Sequence, residues 1–139
     1  MRIAVIDGQG GGIGKTIILQ LRERLGNDLE IVALGTNALA TAAMLKAGAN
    51  EGATGENAVV FNAPRADVIA GSVAILAADS MLGELTPRMA AAVADSPAEK
   101  LLIPLNRCRI RIVGVKGEPL PHYVEYLVGL IGEMMKGES

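Results

Sequence analysis

Aromatic side chains and cysteine are scarce in this chain of 139 residues, which has no tryptophan, two tyrosines, one phenylalanine and one cysteine. A single cysteine excludes an internal disulfide and any metal site built from paired cysteines. The only histidine has no cysteine or histidine companions, so we expect no metal site. Because large rings are nearly absent, the core has to be built from aliphatic side chains, which suits helices packed on a sheet.

An excess of charge and a long hydrophobic run are lacking too. The 13 basic and 15 acidic residues give a net charge of −2, and the one dense basic patch, residues 107–111, is short. We therefore expect no nucleic acid and no membrane surface among the partners. Neither a signal peptide nor a membrane-spanning run of about 18 apolar residues is present, so we expect a cytoplasmic protein.

Small apolar residues are what the chain has in abundance. Half of its residues are hydrophobic and the mean hydropathy is +0.36. A chain of 139 residues is long enough for one domain with a real core, and we expect a single domain over residues 1–139. The high apolar content also predicts a homo-oligomer, most simply a homodimer.

The order of the apolar segments predicts a three-layer α/β domain of Rossmann-like type. Strands are predicted at residues 3–6, 30–34, 58–62, 67–70 and 101–105, and helices at 14–25, 38–47, 86–94 and from 121 onward. The chain begins β-α-β-α, and right-handed crossovers make the sheet mainly parallel. Residues 110–115 alternate isoleucine with arginine and are expected as an antiparallel edge strand. Residues 49–56 are expected as a loop, whereas 72–85 fit a helix or a strand.

The most informative segment is the glycine-rich turn between the first strand and the first helix. Five of the seven residues from Gly8 to Gly14 are glycine. Main-chain N–H groups are unpaired at a helix N-terminus, the helix dipole is positive there, and glycine lets a ligand approach closely. The sequence therefore predicts an anion site. Asp7 precedes the turn, and we expect its side chain to brace the turn by accepting hydrogen bonds from the main-chain N–H groups of the turn.

The turn best resembles that of the short-chain dehydrogenases, T-G-x-x-x-G-I-G. Gly8, Gly12, Ile13 and Gly14 match in register, Asp7 stands in place of the threonine, and the resemblance covers about the first 25 residues. It implies a Rossmann turn on which these three glycines line a pyrophosphate. The Tyr-x-x-x-Lys pair of that family is missing, because Leu127 and Leu130 stand where a lysine is required. We therefore assign no reaction.

A second resemblance is to the deviant Walker loop of MinD/ParA-type ATPases, G-G-x-G-K-T, at residues 11–16. It implies that Lys15 neutralises phosphate charge and that Thr16 is a ligand of Mg²⁺. The family's signature lysine is replaced by Gly10, and the loop is about two residues too long. A Mg²⁺-dependent P-loop-like NTPase or switch therefore remains an alternative.

Two further pairs of residues follow predicted strands on the same edge of the sheet. Thr36 and Asn37 follow the second strand, where dinucleotide folds place an acidic residue for the ribose; they fit either a ribose contact or a helix cap. Asn106 and Arg107 follow the last strand, and an arginine there can clamp a phosphate. Cys108, beside them, is expected to be a packing residue.

The whole chain resembles a family of short proteins from anaerobic bacteria that is classed as a domain of unknown function. Residues 7–16, 33–41 and 103–108 carry this resemblance. It implies no activity and supplies no catalytic residue.

Our leading hypothesis is a small nucleotide- or dinucleotide-binding protein, either a sensor or an accessory subunit, that takes NAD(P) or a nucleoside phosphate. The third alternative is a non-catalytic assembly protein, in which the glycines serve close helix–sheet packing. The predicted binding residues are Gly8, Gln9, Gly10, Gly11, Gly12, Ile13, Gly14, Lys15, Thr16, Thr36, Asn37, Asn106 and Arg107.

Overall fold

The computed structural model describes residues 1–105 and 109–137. Strands and helices alternate along the chain, with short 3-10 helices at Ala63–Arg65 and Val73–Leu76. In chain order the elements are β1 Arg2–Asp7, α1 Gly12–Leu25, β2 Glu30–Gly35, α2 Ala38–Ala47, β3 Glu51–Thr54, α3 Glu56–Asn62, β4 Val68–Ser72, α4 Pro87–Asp95, β5 Glu99–Ile103 and α5 Leu120–Met135.

The five strands form one parallel sheet in the order β3-β2-β1-β4-β5. β1 pairs with β2 on one side and with β4 on the other. The chain therefore leaves β1 toward one edge of the sheet and later returns to the other side of the same strand. Such a reversal of strand order opens a crevice outside the carboxyl ends of the strands, and ligands of open α/β sheets bind there.

Each face of the sheet is covered by helices, which gives three layers. Helices α1, α2 and α5 pack on one face, where Ile18, Met44 and Val128 are buried. Helices α3 and α4 pack on the other face, where Val59 and Val93 are buried. The prediction of a three-layer, Rossmann-like α/β fold is confirmed. None of the helices in the described ranges combines the length and the apolar character that crossing a membrane requires.

Three predicted segments differ in the structure. Residues 58–62, predicted as a strand, belong to α3, because a parallel connection from β3 to β4 needs a crossover and a short apolar run fits either element. Part of the predicted loop at 49–56 is β3, a polar edge strand that pairs with β2. The expected antiparallel edge strand is absent, since residues 110–115 pair with no strand in the described parts of the chain and Val113 is 98% exposed.

Candidate functional site

A cleft of about 640 Å³ opens at the carboxyl ends of β1 and β4, where the strand order reverses. We call it the switch-point cleft. Its walls are the turn between β1 and α1, the 3-10 helix after β4, and the segment that follows that helix. The described residues that line it are Asp7, Gly8, Gln9, Gly10, Gly11, Gly12, Ile13, Ser72, Ala74, Ser80, Met81, Leu82 and Leu105. A volume of this size suits a small molecule.

Asp7 spans the glycine turn from the end of β1 to the first turn of α1. One carboxylate oxygen accepts the N–H of Gly8 at 2.8 Å, and the other accepts the N–H of Gly14 at 2.7 Å. The expectation that Asp7 braces the turn is therefore confirmed. The side chain stands where a bound anion would otherwise meet the Gly14 amide, so a ligand has to use other donors of the turn.

Burial of the Asp7 carboxyl raises its pKa above the usual value. The N–H groups of Gly14, Gly8 and Ile13 oppose this shift because they stabilise the carboxylate, and the negative charge of Glu84 adds to it. Asp7 therefore titrates at a higher pH than an ordinary aspartate does.

Two other amides of the turn also have an acceptor within the protein. Gln9 donates to the carboxylate of Glu84 at 2.8 Å, and Gly11 donates to the carbonyl of Gly8 at 2.9 Å. The N–H groups of Gly10 and Gly12 donate to no acceptor in the described residues. Both of these amides belong to residues that line the cleft.

The glycines of the turn differ in what requires them. At Gly14, a Cβ would lie 2.5 Å from the sulfur of Met44, and at Gly11, which has a φ of 74°, it would lie 2.9 Å from the Cα of Ala40. A Cβ at Gly8 would overlap the hydroxyl of Thr36. At Gly10 and Gly12, no heavy atom of the surroundings lies within 4 Å of that position. Packing therefore requires three of these glycines and leaves open why the other two are glycine.

Glu84 joins the glycine turn to the end of β2. A single carboxylate oxygen, Oε1, accepts the Thr36 hydroxyl at 2.6 Å, the Asn37 side-chain amide at 2.9 Å and the Gln9 amide at 2.8 Å. These three donors lower the pKa of Glu84, with the Thr36 hydroxyl as the largest cause, so this carboxyl stays ionised. The other oxygen, Oε2, has no partner in the described part of the chain.

The segment that carries Glu84 has an irregular backbone after the 3-10 helix. Asp79, Met81 and Leu82 adopt φ values of 65°, 58° and 57°, which non-glycine residues rarely do. The side chain of Met81 lies against Gly8 and lines the cleft. No local pattern in the sequence marks Glu84, because its hydrogen-bond partners lie up to 75 residues away along the chain.

The structure brings only part of the predicted binding residues to the cleft. Residues 8–13 line it, whereas Gly14 packs against Met44. Lys15 is exposed outside the cleft wall, and the Thr16 hydroxyl donates to the carbonyl of Gly12 at 2.8 Å within α1.

Of the two pairs of residues predicted at the strand ends, one pair lies beside the cleft and the other lies outside the described residues. Thr36 and Asn37 lie beside the cleft and contact Glu84, and the Asn37 side chain also caps α2 by accepting the N–H of Ala40. Asn106, Arg107 and Cys108 lie outside the described residues, although Leu105, just before them, lines the cleft.

Metal-binding groups are dispersed in the described parts of the chain. No three acidic, histidine or cysteine side chains there are close enough together to hold a metal ion. His122 lies in the first turn of α5, where its ring is 3.9 Å from the carboxylate of Glu118 and does not line the cleft.

Comparison with known proteins gives a family and no individual relative. Searches of the curated proteins and of the solved structures found no match. The model of the family DUF3842, described as a domain of unknown function, matches residues 2–136. This match covers nearly the whole chain and agrees with the resemblance drawn from residues 7–16, 33–41 and 103–108. The chain therefore belongs to the DUF3842 family.

Proposed function

We propose that this chain is a nucleotide- or dinucleotide-binding protein, acting as a sensor or an accessory subunit, and that a phosphate of the ligand binds at the amides of Gly10 and Gly12. One coincidence supports the proposal. The two glycines that packing does not require are also the two whose N–H groups have no acceptor among the described residues, and both line the cleft. Close approach of a ligand to the backbone accounts for both properties.

The position of the cleft in the sheet supports the same proposal. Rossmann-like folds bind nucleotides at the crevice where the strand order reverses, next to the N-terminus of the first helix. Here that crevice adjoins the N-terminus of α1. Because fold alone does not determine function, the proposal rests chiefly on the two amides.

The charged groups at the cleft lead us to expect weak binding of nucleotides. The described lining of the cleft contains the carboxyl of Asp7 and no basic side chain, and Glu84 adds a negative charge beside it. Two amides and a helix dipole have to offset this repulsion. We therefore expect dissociation constants in the range of about 10 μM to about 1 mM for mononucleotides.

The two alternative functions predict different roles for the same residues. A P-loop NTPase needs Lys15 and Thr16 at the phosphates, whereas these side chains lie outside the cleft wall. An assembly protein needs Gly12 for packing, whereas the space around its missing Cβ is open. Neither alternative is favoured by a contact in the described residues.

The test is a titration with NADH, NADPH, ADP, ATP and GTP, in which binding is measured by calorimetry and by the shift in the temperature of thermal unfolding. Gly12→Ala places a methyl group on the cleft wall, and Gly12→Asp adds a negative charge there. We expect affinity to fall by about threefold or more in the first variant and by about tenfold or more in the second.

Gly129→Ala is the matched control, because Gly129 lies on α5, away from the cleft, and its missing Cβ also faces open space. This variant should bind like the natural protein. A flat titration of the natural protein with all five ligands would exclude the proposed function, and unchanged affinity in Gly12→Asp would exclude the assigned amides.

A further inference from the structure

We propose that Glu84 accepts hydrogen bonds from the ribose hydroxyls of the bound nucleotide and thereby selects ligands with a free 2′-hydroxyl over ligands with a 2′-phosphate. This inference rests on the proposed function and names the part of the ligand that reaches the end of β2. The chain has no acidic residue at the end of β2 itself, where Thr36 and Asn37 stand. The tertiary structure supplies one from the segment between β4 and α4.

The geometry of Glu84 is that of a fixed acceptor with one oxygen left over. Three donors from two different elements hold Oε1 at 2.6 to 2.9 Å, so the carboxylate has little rotational freedom. Oε2 has no partner in the described residues. The pair of adjacent hydroxyls on a ribose can donate to an oxygen placed in this way.

Glu84 holds the residue next to one of the two proposed phosphate donors. Glu84 accepts the amide of Gln9, and the next amide along the chain, that of Gly10, is one of the two without an acceptor. Consecutive Cα atoms are about 3.8 Å apart. Met81 lies against Gly8 in the wall of the cleft, and its flexible thioether can pack on the sugar.

The negative charge of Glu84 determines which ligand is preferred, the one with a 2′-hydroxyl or the one with a 2′-phosphate. The Thr36 hydroxyl, the Gln9 amide and the Asn37 side chain lower the pKa of Glu84, so the carboxylate is ionised at neutral pH. An ionised carboxylate accepts hydrogen bonds strongly from hydroxyl groups and repels a phosphate at the same position.

A purely structural role for Glu84 makes a different prediction. In that case, Glu84 only ties the irregular segment to the glycine turn, and its replacement weakens all ligands alike. The measurement that separates the two roles is the ratio of affinities between ligands that differ only at the 2′ position.

The experiment titrates the protein by NMR with adenosine 5′-monophosphate, its 2′-deoxy analogue and adenosine 2′,5′-bisphosphate, which share one 5′-phosphate. We expect the natural protein to bind the first about tenfold more tightly than either of the others. In Glu84→Gln, which keeps the shape of the side chain and removes its charge, both ratios should fall to about threefold or less.

Gly129→Ala is the companion variant, because Gly129 lies on α5, away from Glu84 and the cleft, and its missing Cβ faces open space. Its ratios should stay near those of the natural protein. Equal affinity of the natural protein for the monophosphate and the bisphosphate overturns this inference, as do ratios that survive in Glu84→Gln. In either case, the binding of a nucleotide still upholds the proposed function. If no nucleotide binds, the proposed function and this inference are both overturned.

Discussion

The carboxylate of Asp7 accepts the main-chain N–H of Gly14 at 2.7 Å, across the turn between β1 and α1. The same carboxylate accepts the N–H of Gly8. Asp7 thus closes the glycine turn onto the end of β1 and fixes the direction in which the remaining amides point. Among the glycines of the turn, only Gly10 and Gly12 have N–H groups without an acceptor in the described residues.

Asp7 should give the protein a distinctive pH dependence. Its folded-state pKa is raised, chiefly by burial, so its contribution to the free energy of unfolding is fully present below the unfolded pKa and declines as pH rises through the folded pKa. We expect the difference in unfolding free energy between the natural protein and Asp7→Asn to shrink as pH rises above the usual pKa of an aspartate. Urea unfolding across this range measures it.

Glu84 provides the internal control for that measurement, because its pKa shifts in the opposite direction. Its contribution is present above the unfolded pKa and is lost as pH falls through the lowered folded value. The difference in unfolding free energy between the natural protein and Glu84→Gln should therefore grow as pH rises. A difference for Asp7→Asn that grows as well would show that the amides outweigh burial at Asp7.

Neighbouring glycines of the turn should respond differently to alanine. Gly11→Ala places a Cβ on a residue with a φ of 74° and 2.9 Å from the Cα of Ala40, so we expect a loss of about 1 to 3 kcal/mol in unfolding free energy. Gly12→Ala enters open space at the start of α1 and should leave stability unchanged or raise it by up to about 1 kcal/mol. Equal losses measured by chemical denaturation would support the assembly alternative.

Arg22 should be the most sensitive basic residue for stability. Its guanidinium donates to the carbonyls of Gly48 and Leu29, both at 2.9 Å, and to the side-chain oxygen of Asn50 at 2.7 Å. A lysine keeps the charge and loses the planar set of donors, so Arg22→Lys should lower the unfolding free energy by about 1 to 3 kcal/mol.

Arg24→Ala is the comparison for this variant, because Arg24 is exposed and, among the described residues, donates only to the carbonyl of Glu125 at 3.2 Å. It should change stability by less than about 0.5 kcal/mol. Urea unfolding curves of the two variants that coincide would rule out the assigned role of Arg22.

Lys15 separates the proposed function from the ATPase alternative. Its side chain is exposed and does not line the cleft, so Lys15→Ala should change the affinity for ADP by less than about threefold. A P-loop lysine would instead be needed for binding and for release of phosphate from ATP. The ATPase alternative would be favoured if Lys15→Ala lost both its binding of ADP, measured by calorimetry, and its release of phosphate from ATP, measured by a phosphate assay.

The homodimer expected from the apolar composition stays a prediction. Leu82 and Val113 are 97% and 98% exposed, and large apolar side chains so placed are often covered by a partner. Light scattering should give a mass of about twice that of one chain. A single-chain mass that persists at high protein concentration would exclude the dimer.

Local pattern and connectivity were enough to predict four of the five parallel strands, β1, β2, β4 and β5, and the glycine turn. The apolar strand at residues 3–6, the glycines after it and the helix that follows are neighbours in sequence, and their geometry depends on short-range sterics and hydrogen bonding. The bracing role of Asp7 could be predicted for the same reason, since Gly14 is only seven residues away. The prediction of a strand at residues 58–62 is wrong, because a short apolar run suits a strand and a helix equally and the structure has α3 there.

What only the tertiary structure decided is how the turn is used. Glu84 reaches Thr36 across 48 residues of sequence, and no local pattern encodes such a contact. Whether a glycine is required by its neighbours, as Gly14 is by Met44, likewise depends on which helices pack together. The sequence by itself determined that a strand, a glycine turn and a helix follow one another. Long-range packing decided which amides are used by the protein and which face the cleft.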